Sequence, residues 1–401
     1  MIESLVYKYF PGIDSETHKM LVNYLIEESL GLGRIDILLN DPYLEEIVIN
    51  NSKEPIWVYH RYYGWLETNL KVVTEERIRH YAIMIGRRVG KDITQLNPLM
   101  DAHLPTGDRV NATLKPISTK GNTITIRKFA TEPWTITKFI RIGTIDYEAA
   151  ALLWLAVQNE LSILVTGGTG SGKTSMLNVL ANFLPANQRI ISIEDTRELT
   201  LPANLHWVPL ETRLPNPEGK GGVTMLDLLV NSLRMRPDRI IVGEIRRKEE
   251  AEVLLEAMHT GHSVYATLHA NDAEETVIRL TNPPIGIPKP MISAISLILV
   301  QNRNRRTGKR RTFQIAEITP SGDPRILMQH NFQKDVLEEV NPSIYMKKKL
   351  KLYTGISDDE IEADLKEKER ILRYMVKKRI EDVHKIGLLM SKYYTGTLRL
   401  E

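Results

Sequence analysis

The 401-residue chain contains no cysteine, which excludes disulfide bonds and any zinc or iron–sulfur site built on thiolates. It also lacks an apolar run approaching the roughly 20 residues that cross a bilayer, so we expect no direct membrane insertion. Residues 1–5 do not show the basic and then apolar segments that begin a secretory signal. The net charge of only +3 gives no general case for nucleic-acid binding. These absences favour a cytoplasmic protein.

What is present is an ordinary globular composition, 42% hydrophobic and 26% charged, over a length sufficient for two or three domains. The patterns predict an N-terminal helical segment and then a small α/β domain. A stretch with Pro133, Gly143 and few helix signals is predicted to be a linker. Alternating strands and helices then predict a mostly parallel sheet covered on both faces, followed by a charged helical tail. The predicted boundaries are 1–30, 31–130, 131–145, 146–340 and 341–401.

The most informative motif lies at residues 167–174, between an apolar run and a helical pattern. Strand, glycine-rich turn and helix in this order form a Walker A phosphate loop. Its glycines let backbone N–H groups converge on phosphate oxygens, Lys173 can reach the β- and γ-phosphates, and the Thr174 hydroxyl can ligate Mg²⁺. The loop alone leaves open a kinase, a GTPase, an ATPase motor or a transporter subunit. The predicted nucleotide-binding residues are Gly167, Gly168, Thr169, Gly170, Ser171, Gly172, Lys173, Thr174 and Ser175.

Two further apolar strands lead into carboxylates. The strand at residues 189–195 ends in Glu194 and Asp195, and the strand at residues 239–246 contains Glu244 near its end. Because ligands bind at the carboxyl ends of parallel strands, we expect these side chains beside the phosphate loop. Glu194 and Asp195 can hold Mg²⁺ directly or through water. Glu244 can orient or deprotonate the attacking water, and Glu194 is the candidate catalytic base if Glu244 is not. Alternatively, Glu194 and Asp195 only cap the following turn.

Two histidines, His262 and His269, flank a short strand within residues 260–271. His269 follows the strand and would share the rim with the carboxylates, where an imidazole can hydrogen-bond the γ-phosphate and sense its loss. His262 precedes the strand. Both are predicted catalytic residues, and a satisfied structural role is the alternative for each.

Two arginines, Arg109 and Arg127, lie near the ends of predicted strands in the first domain. Arginines brought to the phosphates across a cleft or interface stabilise transition-state charge, which is worth about 10³–10⁵ in rate. We therefore count both as candidate catalytic residues. The sequence leaves open whether either reaches the phosphates or is a solvated surface group.

Taken together, these stretches resemble the type II/IV secretion ATPase superfamily. Its Walker A, Asp box, Walker B and His box correspond in order to residues 167–174, 191–199, 233–246 and 260–271. Its arginine-bearing strands correspond to residues 104–112 and 123–129, so the resemblance covers roughly residues 31–320. Within the superfamily the chain is most similar to the archaeal branch, which assembles archaella and type IV-like pili. The absence of a tetracysteine module separates it from many bacterial members, and residues 292–301 do not match the box of retraction motors.

The resemblance implies a RecA-like P-loop core in a homohexameric ring, with ATP and Mg²⁺ bound between the small domain and the core. Glu244 would activate water, Glu194 or Asp195 would support Mg²⁺, and Arg109 and Arg127 would neutralise phosphate charge. It implies a peripheral location at the inner face of the cell membrane. There the motor would act on a polytopic platform protein that adds or moves pilin-like subunits.

Two other functions stay open from the sequence. A DNA-transfer or nucleic-acid-translocating ATPase could use the same core, with the basic cluster at residues 303–311 lining its pore. A short charge run is more often a solvated hairpin or a contact for an acidic partner, so nucleic acid is not the expected partner. A nucleotide-gated scaffold with negligible turnover is the second alternative.

Overall fold

The structure is a computed structural model, and the chain forms two compact units, Met1–Thr131 and Glu132–Glu401. Among the stretches used above, Arg34, Pro105 and residues 130–132, which include the start of the predicted linker, lie outside the described residues. The residues that the structure describes are 2–33, 35–104, 106–129, 133–215 and 219–400.

The first unit is built on a six-stranded antiparallel sheet in the order β3-β2-β1-β6-β5-β4. Its buried face packs Ile47, Ile78 and Ile126 into one apolar core. Thr74 caps helix α4 by accepting the backbone N–H of Arg77 at 3.2 Å. The elements are α1 Ile2–Tyr9, α2 Ser15–Leu30, α3 Ile35–Asn40, β1 Leu44–Ile49, β2 Trp57–His60, β3 Gly64–Glu67, α4 Glu75–Arg88, β4 Leu99–His103, β5 Arg109–Thr113 and β6 Thr123–Arg127.

The second unit begins with two helices and then alternates strands and helices. This alternation is what produces a parallel sheet, because each helix returns the chain to the starting edge. The elements up to the strand that the two histidines flank are α5 Ile136–Arg141, α6 Tyr147–Gln158, β7 Ile163–Gly167, α7 Lys173–Ala181, β8 Arg189–Glu194, β9 His206–Glu211, α8 Met225–Ser232, β10 Arg239–Val242, α9 Lys248–His259 and β11 Ser263–Leu268.

The remaining part adds an antiparallel edge to the sheet and ends in helices. The nine-stranded order is β15-β14-β13-β12-β7-β11-β10-β8-β9, parallel from β9 to β12 and antiparallel from there to β15. The phosphate-loop strand β7 therefore lies in the interior of the sheet. The elements are α10 Ala273–Thr281, α11 Lys289–Ile292, β12 Leu297–Arg303, β13 Arg310–Ile318, β14 Pro324–Asn331, β15 Val336–Glu339, α12 Tyr345–Thr354, α13 Asp358–Lys377 and α14 Val383–Tyr394.

The parallel strands are buried on both faces, which explains their continuous apolar sequence. Along β7, Ile163 and Val165 face one apolar core, whereas Leu164 between them faces the other. Helices α6 and α7 contribute to the first core, and α9 and α10 to the second. The predicted class, a RecA-like α/β core with a smaller α/β domain and a helical C-terminal region, is confirmed.

The range 131–145, predicted to be a linker, contains helix α5, Ile136–Arg141. Ile136, Phe139 and Ile140 are buried in the core of the second unit, at helical spacing. Gly143, with φ of +72°, lies just beyond the helix end and does not interrupt the packed segment. Pro133 and Gly143 therefore flank a packed helical segment of the second unit, and the boundary between the two units falls at the start of the predicted range, between Thr131 and Glu132.

The charged C-terminal helices are also part of the packed unit. Helix α13 packs on α6, and Ile361, Ile371 and Leu372 join the first core. Lys368 is fully buried in an ion pair with Asp364, and its ammonium lies 5.3 Å from the centre of the Trp154 ring. The exposed face of α13 carries the charges that dominate its sequence, and its buried stripe packs on helices α5 and α6.

Candidate nucleotide site

The phosphate loop connects β7 to α7 by a backbone path that only glycine adopts readily. Gly170 and Gly172 have φ values of +70° and +97°, in the left-handed region. A Cβ on Gly167 would lie 2.3 Å from the carbonyl oxygen of Gln301 on the neighbouring strand β12. The turn is therefore both left-handed and tightly packed, as a cradle of backbone N–H groups requires.

Lys173, the first residue of α7, folds back over this loop. Its Nζ donates to the carbonyl oxygens of Gly167 at 3.0 Å and Gly168 at 3.1 Å, and lies 3.2 Å from Nδ1 of His269. Burial lowers the pKa of Lys173, and the nearby Glu244 carboxylate opposes that change. The lysine is thus held at the mouth of the loop by weak neutral acceptors that an anion can replace.

His269 and Glu244 meet at the carboxyl edge of the sheet, as the strand-end rule predicted. His269 Nε2 lies 2.8 Å from Glu244 Oε1. Because the Lys173 ammonium can only donate, His269 Nδ1 accepts a hydrogen bond from it. The proton of the neutral imidazole is therefore on Nε2, which donates a hydrogen bond to Glu244. Burial and then the Lys173 charge lower the pKa of His269, which favours this neutral imidazole.

Arg246 joins Glu244 to the acid of the neighbouring strand. Its Nε lies 2.7 Å from Glu244 Oε2, and its Nη1 lies 2.5 Å from Asp195 Oδ2. Asp195 Oδ1 also accepts from the Thr212 hydroxyl at 3.3 Å. A continuous chain of polar contacts therefore runs from the phosphate-loop lysine to the end of β8. The sequence showed an arginine after Glu244 but gave no reason to assign it to the site.

Glu194 differs sharply from the adjacent Asp195. Only 2% of Glu194 is exposed, and its Oε1 accepts the backbone N–H groups of Glu198 at 2.9 Å and Leu199 at 3.1 Å. Burial raises the pKa of Glu194 to about 7. This carboxylate fastens the turn after β8, which was the structural alternative from the sequence, although its Oε2 has no hydrogen-bond partner in the described part of the chain.

The structure does not bring His262 to this cluster. His262 precedes β11 and His269 follows it, so the two lie at opposite ends of a fully buried strand. The Nδ1 atom of His262 lies 3.2 Å from the carbonyl oxygen of Ala257 and 3.3 Å from the Thr260 hydroxyl, at the end of α9. These contacts match its structural alternative, and the catalytic prediction for His262 is not carried forward.

Arg109 and Arg127 belong to the first unit, where they are direct cross-strand neighbours on β5 and β6. Both are exposed, and Arg109 binds Asp101 through two N–H groups at 3.0 and 2.6 Å. The Arg109 hydrogen bonds hold the pKa of Asp101 below its usual value. Like charges directly opposite each other destabilise a sheet slightly, and the Asp101 carboxylate bound to Arg109 offsets part of this repulsion.

The basic cluster at residues 303–311 proves to be only partly solvated. Arg310 Nε donates to the carbonyl oxygen of Gly170 at 2.9 Å, so the hairpin between β12 and β13 braces the phosphate loop. Lys309 and Arg311 both bind Asp335, the arginine through two bonds at 2.7 and 2.9 Å. The strand pairing of this hairpin was the signal that could have placed Arg310 near the loop.

Magnesium would depend on a small set of protein oxygens here. No group of three or more histidine, aspartate or glutamate side chains is placed to hold a metal ion within the described ranges. Mg²⁺ in phosphate-loop sites takes most of its ligands from water and nucleotide oxygens and one or two from the protein. The Thr174 hydroxyl and the Asp195 carboxylate are hard oxygen donors of the type this ion prefers, so the residues present fit it.

Over the part of the chain that the structure covers, no helix combines the length and apolar character needed to cross a membrane. The phosphate loop follows an interior parallel strand, and the ends of the three neighbouring strands β11, β10 and β8 supply a histidine and the carboxylates. This fold and site define a P-loop ATPase of the RecA-like type.

Comparison with known proteins then gives the family. A model of the family described as Type II/IV secretion system protein matches residues 44–338, and the chain belongs to this family. Methanocaldococcus jannaschii MJ0900 is 35% identical over 394 residues, covering 95% of this chain and 71% of that protein. The type IV secretion system protein PtlH of Bordetella pertussis is 31% identical, covering 67% of this chain and 88% of PtlH. The structure of the Legionella pneumophila ATPase DotB matches with a TM-score of 0.51 at 19% identity, covering 90% of this chain and 95% of DotB.

Proposed function

We propose that the chain is a homohexameric cytoplasmic motor at the inner face of the cell membrane. It hydrolyses ATP and drives a polytopic platform protein that assembles pilin-like fibres or secretes proteins. The observation that carries the proposed chemistry is the contact series from Lys173 through His269 to Glu244, which begins at the phosphate loop. The family, and the likeness to the type IV secretion system protein PtlH, support the assignment to an assembly or secretion machine.

In this proposal, each residue has one chemical role. Lys173 leaves the carbonyl oxygens of Gly167 and Gly168 to bind a phosphate. Glu244 accepts a proton from the attacking water, and neutral His269 orients the carboxylate through its Nε2–H. Thr174 and Asp195 would hold Mg²⁺, which when bound neutralises charge on the phosphate oxygens. Asp195 suits this role better than Glu194, whose Oε1 already accepts two backbone N–H groups.

Arg109 and Arg127 are assigned to phosphate charge neutralisation by the family resemblance. Their adjacency on β5 and β6 and their exposure support this role. The basic hairpin supports a function without nucleic acid, since Lys309, Arg310 and Arg311 are each engaged inside the chain. The proposal therefore keeps proteins of the membrane machine as the partners.

The proposed chemistry is tested by replacing the loop lysine. Lys173→Ala should abolish tight ATP binding, because it removes the one side-chain cation within the loop sequence 167–174. Binding is measured with a fluorescent ATP analogue and turnover by phosphate release. The matched control is Lys366→Ala, which removes an exposed lysine from helix α13. Unchanged ATP affinity in Lys173→Ala would overturn the assignment of the loop.

The proposed partners are tested in native membranes. We expect crosslinking, affinity purification and mass spectrometry to recover a polytopic platform protein together with pilin-like subunits. Recovery of DNA-processing proteins without a platform protein would contradict the proposal and favour a translocase on the same core. Native mass spectrometry of the purified chain with ATP analogue checks the homohexamer.

A further inference from the structure

Arg246 contacts both carboxylates that face the site from neighbouring strands. Its Nε and Nη2 lie 2.7 and 2.6 Å from Glu244 Oε2, and its Nη1 lies 2.5 Å from Asp195 Oδ2. The remaining oxygen of Glu244, Oε1, faces His269 at 2.8 Å. The Glu244 carboxylate is thus held on one side by a guanidinium and on the other by an imidazole.

The backbone that carries Arg246 is itself fixed. The N–H groups of Arg246 and Arg247 donate to Glu250 Oε2 at 2.9 and 3.1 Å. Glu250 is a buried residue of helix α9, so the segment between β10 and α9 is tied to the packed core. A side chain that starts from such a segment holds its partner in a defined place, although 61% of the Arg246 side chain is exposed.

Charge explains why an arginine is suited to this position. Asp195 and Glu244 follow adjacent parallel strands, β8 and β10, so both carboxylates come to the same edge and repel each other. A guanidinium presents several N–H groups in a rigid plane and can bind both acids at once. A lysine offers a single ammonium and cannot reproduce this geometry.

We infer that Arg246 is a positioning residue for hydrolysis, which sets the orientation of the Glu244 carboxylate and couples it to Asp195. The inference rests on the proposed role of Glu244 as the base that activates water. Through Arg246, a displacement of Asp195 at the end of β8 is transmitted to Glu244 at the end of β10. The carboxylate would then present the same oxygen to His269 in each catalytic cycle.

The first test separates turnover from binding. Arg246→Gln should lower kcat by roughly 10²-fold, the scale of a misplaced catalytic group, and leave the KM for ATP nearly unchanged. Arg246→Lys should restore only part of this loss. Arg247→Gln, which removes the same charge from the next residue, is the matched control and should behave like the wild type. Exposed ion pairs add little to folding stability, so the melting temperature should hardly change.

The second test asks whether Arg246 acts through Asp195. If it does, the loss of kcat in the double variant Arg246→Gln/Asp195→Asn should be smaller than the product of the two single losses. Losses that multiply would overturn the coupling. Wild-type kcat in Arg246→Gln, with the wild-type protein hydrolysing ATP, would overturn the positioning role and leave the proposed ATPase function intact.

A third measurement needs no hydrolysis. The charged groups around His269 are Lys173, Glu244, Arg279 and Arg246, and the Arg246 charge lowers the His269 pKa less than burial, Lys173 and Arg279 do. Arg246→Gln should therefore raise that pKa in an NMR titration, with His269→Asn identifying the signal. An unchanged His269 titration would contradict the placement of Arg246 against Glu244 beside His269. A wild-type protein that neither binds nor hydrolyses ATP would refute the proposed function independently.

Discussion

Strand β10 carries a charged residue near each end, and the two ends differ in every respect that matters for function. Arg239 begins the strand with none of its side chain exposed, and it donates to Gln188, Ser263 and Tyr265 at 2.7–2.8 Å. Glu244 follows the strand with 17% of its side chain exposed. Its partners there are charged or titratable groups with solvent access.

This difference shows that the two edges of one sheet contribute differently: the amino edge to folding stability and the carboxyl edge to the chemistry of the site. At the amino edge, the buried Arg239 is held by three neutral acceptors and lies 3.9 Å from the Glu160 carboxylate, and loss of one of these partners leaves a buried polar group unpaired. At the carboxyl edge, His269 is 42% exposed, and water or a phosphate can replace its partners. Ligands bind at this edge because the loops and helix starts diverge there and leave a crevice.

Replacing Glu244, which follows the carboxyl end of β10, should have the largest effect, and this effect should be on turnover. Glu244→Gln keeps the size and planarity of the side chain but removes the base and replaces one acceptor oxygen with an NH₂ group, so turnover should fall by about 10²–10⁴-fold. ATP binding and the free energy of unfolding should stay close to the wild-type values. Phosphate release and equilibrium binding measure the two effects separately. Near-normal turnover would show that another group is the base.

Replacing Arg239, at the amino end of β10, should have the opposite pattern: folding stability should fall, and ATP binding should be unchanged. Arg239→Leu removes the guanidinium donor from the oxygens of Gln188, Ser263 and Tyr265 and leaves the two buried hydroxyls bonded only to each other, which should reduce the free energy of unfolding by roughly 3–5 kcal/mol. Urea unfolding measures this loss. The protein that stays folded should retain the wild-type ATP affinity, because Arg239 lies at the other end of the strand. A specific loss of ATP affinity with unchanged stability would break the comparison.

Glu194 sharpens the comparison because it lies at the carboxyl edge but is buried as Arg239 is. Burial raises its pKa from 4.5 to about 7, so its ionisation opposes folding. Its contribution to stability is fully present below pH 4.5 and is lost as the pH rises through about 7. Over that range the wild type should lose roughly 3 kcal/mol relative to Glu194→Gln, as measured by urea unfolding at pH 5 and pH 8. Parallel pH dependences in both proteins would refute the burial effect.

The sequence determined the parts of this protein that depend on local chemistry. The turn of the phosphate loop needs glycine at Gly170 and Gly172, because its backbone passes through the left-handed region. Continuous apolar runs predicted parallel strands that are buried on both faces. The rule that ligands bind at the carboxyl ends of parallel strands predicted that His269 and Glu244 would lie at the same edge. Each of these inferences needs only neighbouring residues or the direction of a strand.

Only the tertiary structure decided which polar groups became partners. Asp195 and Arg246 are 51 residues apart in sequence, and their contact depends on β8 and β10 being adjacent in the sheet. The same packing turned Glu194 away from Asp195 and into the turn after β8, and it buried α5 where a linker was expected. Burial and partnership are set by distant segments that pack together, so no local pattern in the sequence encodes them.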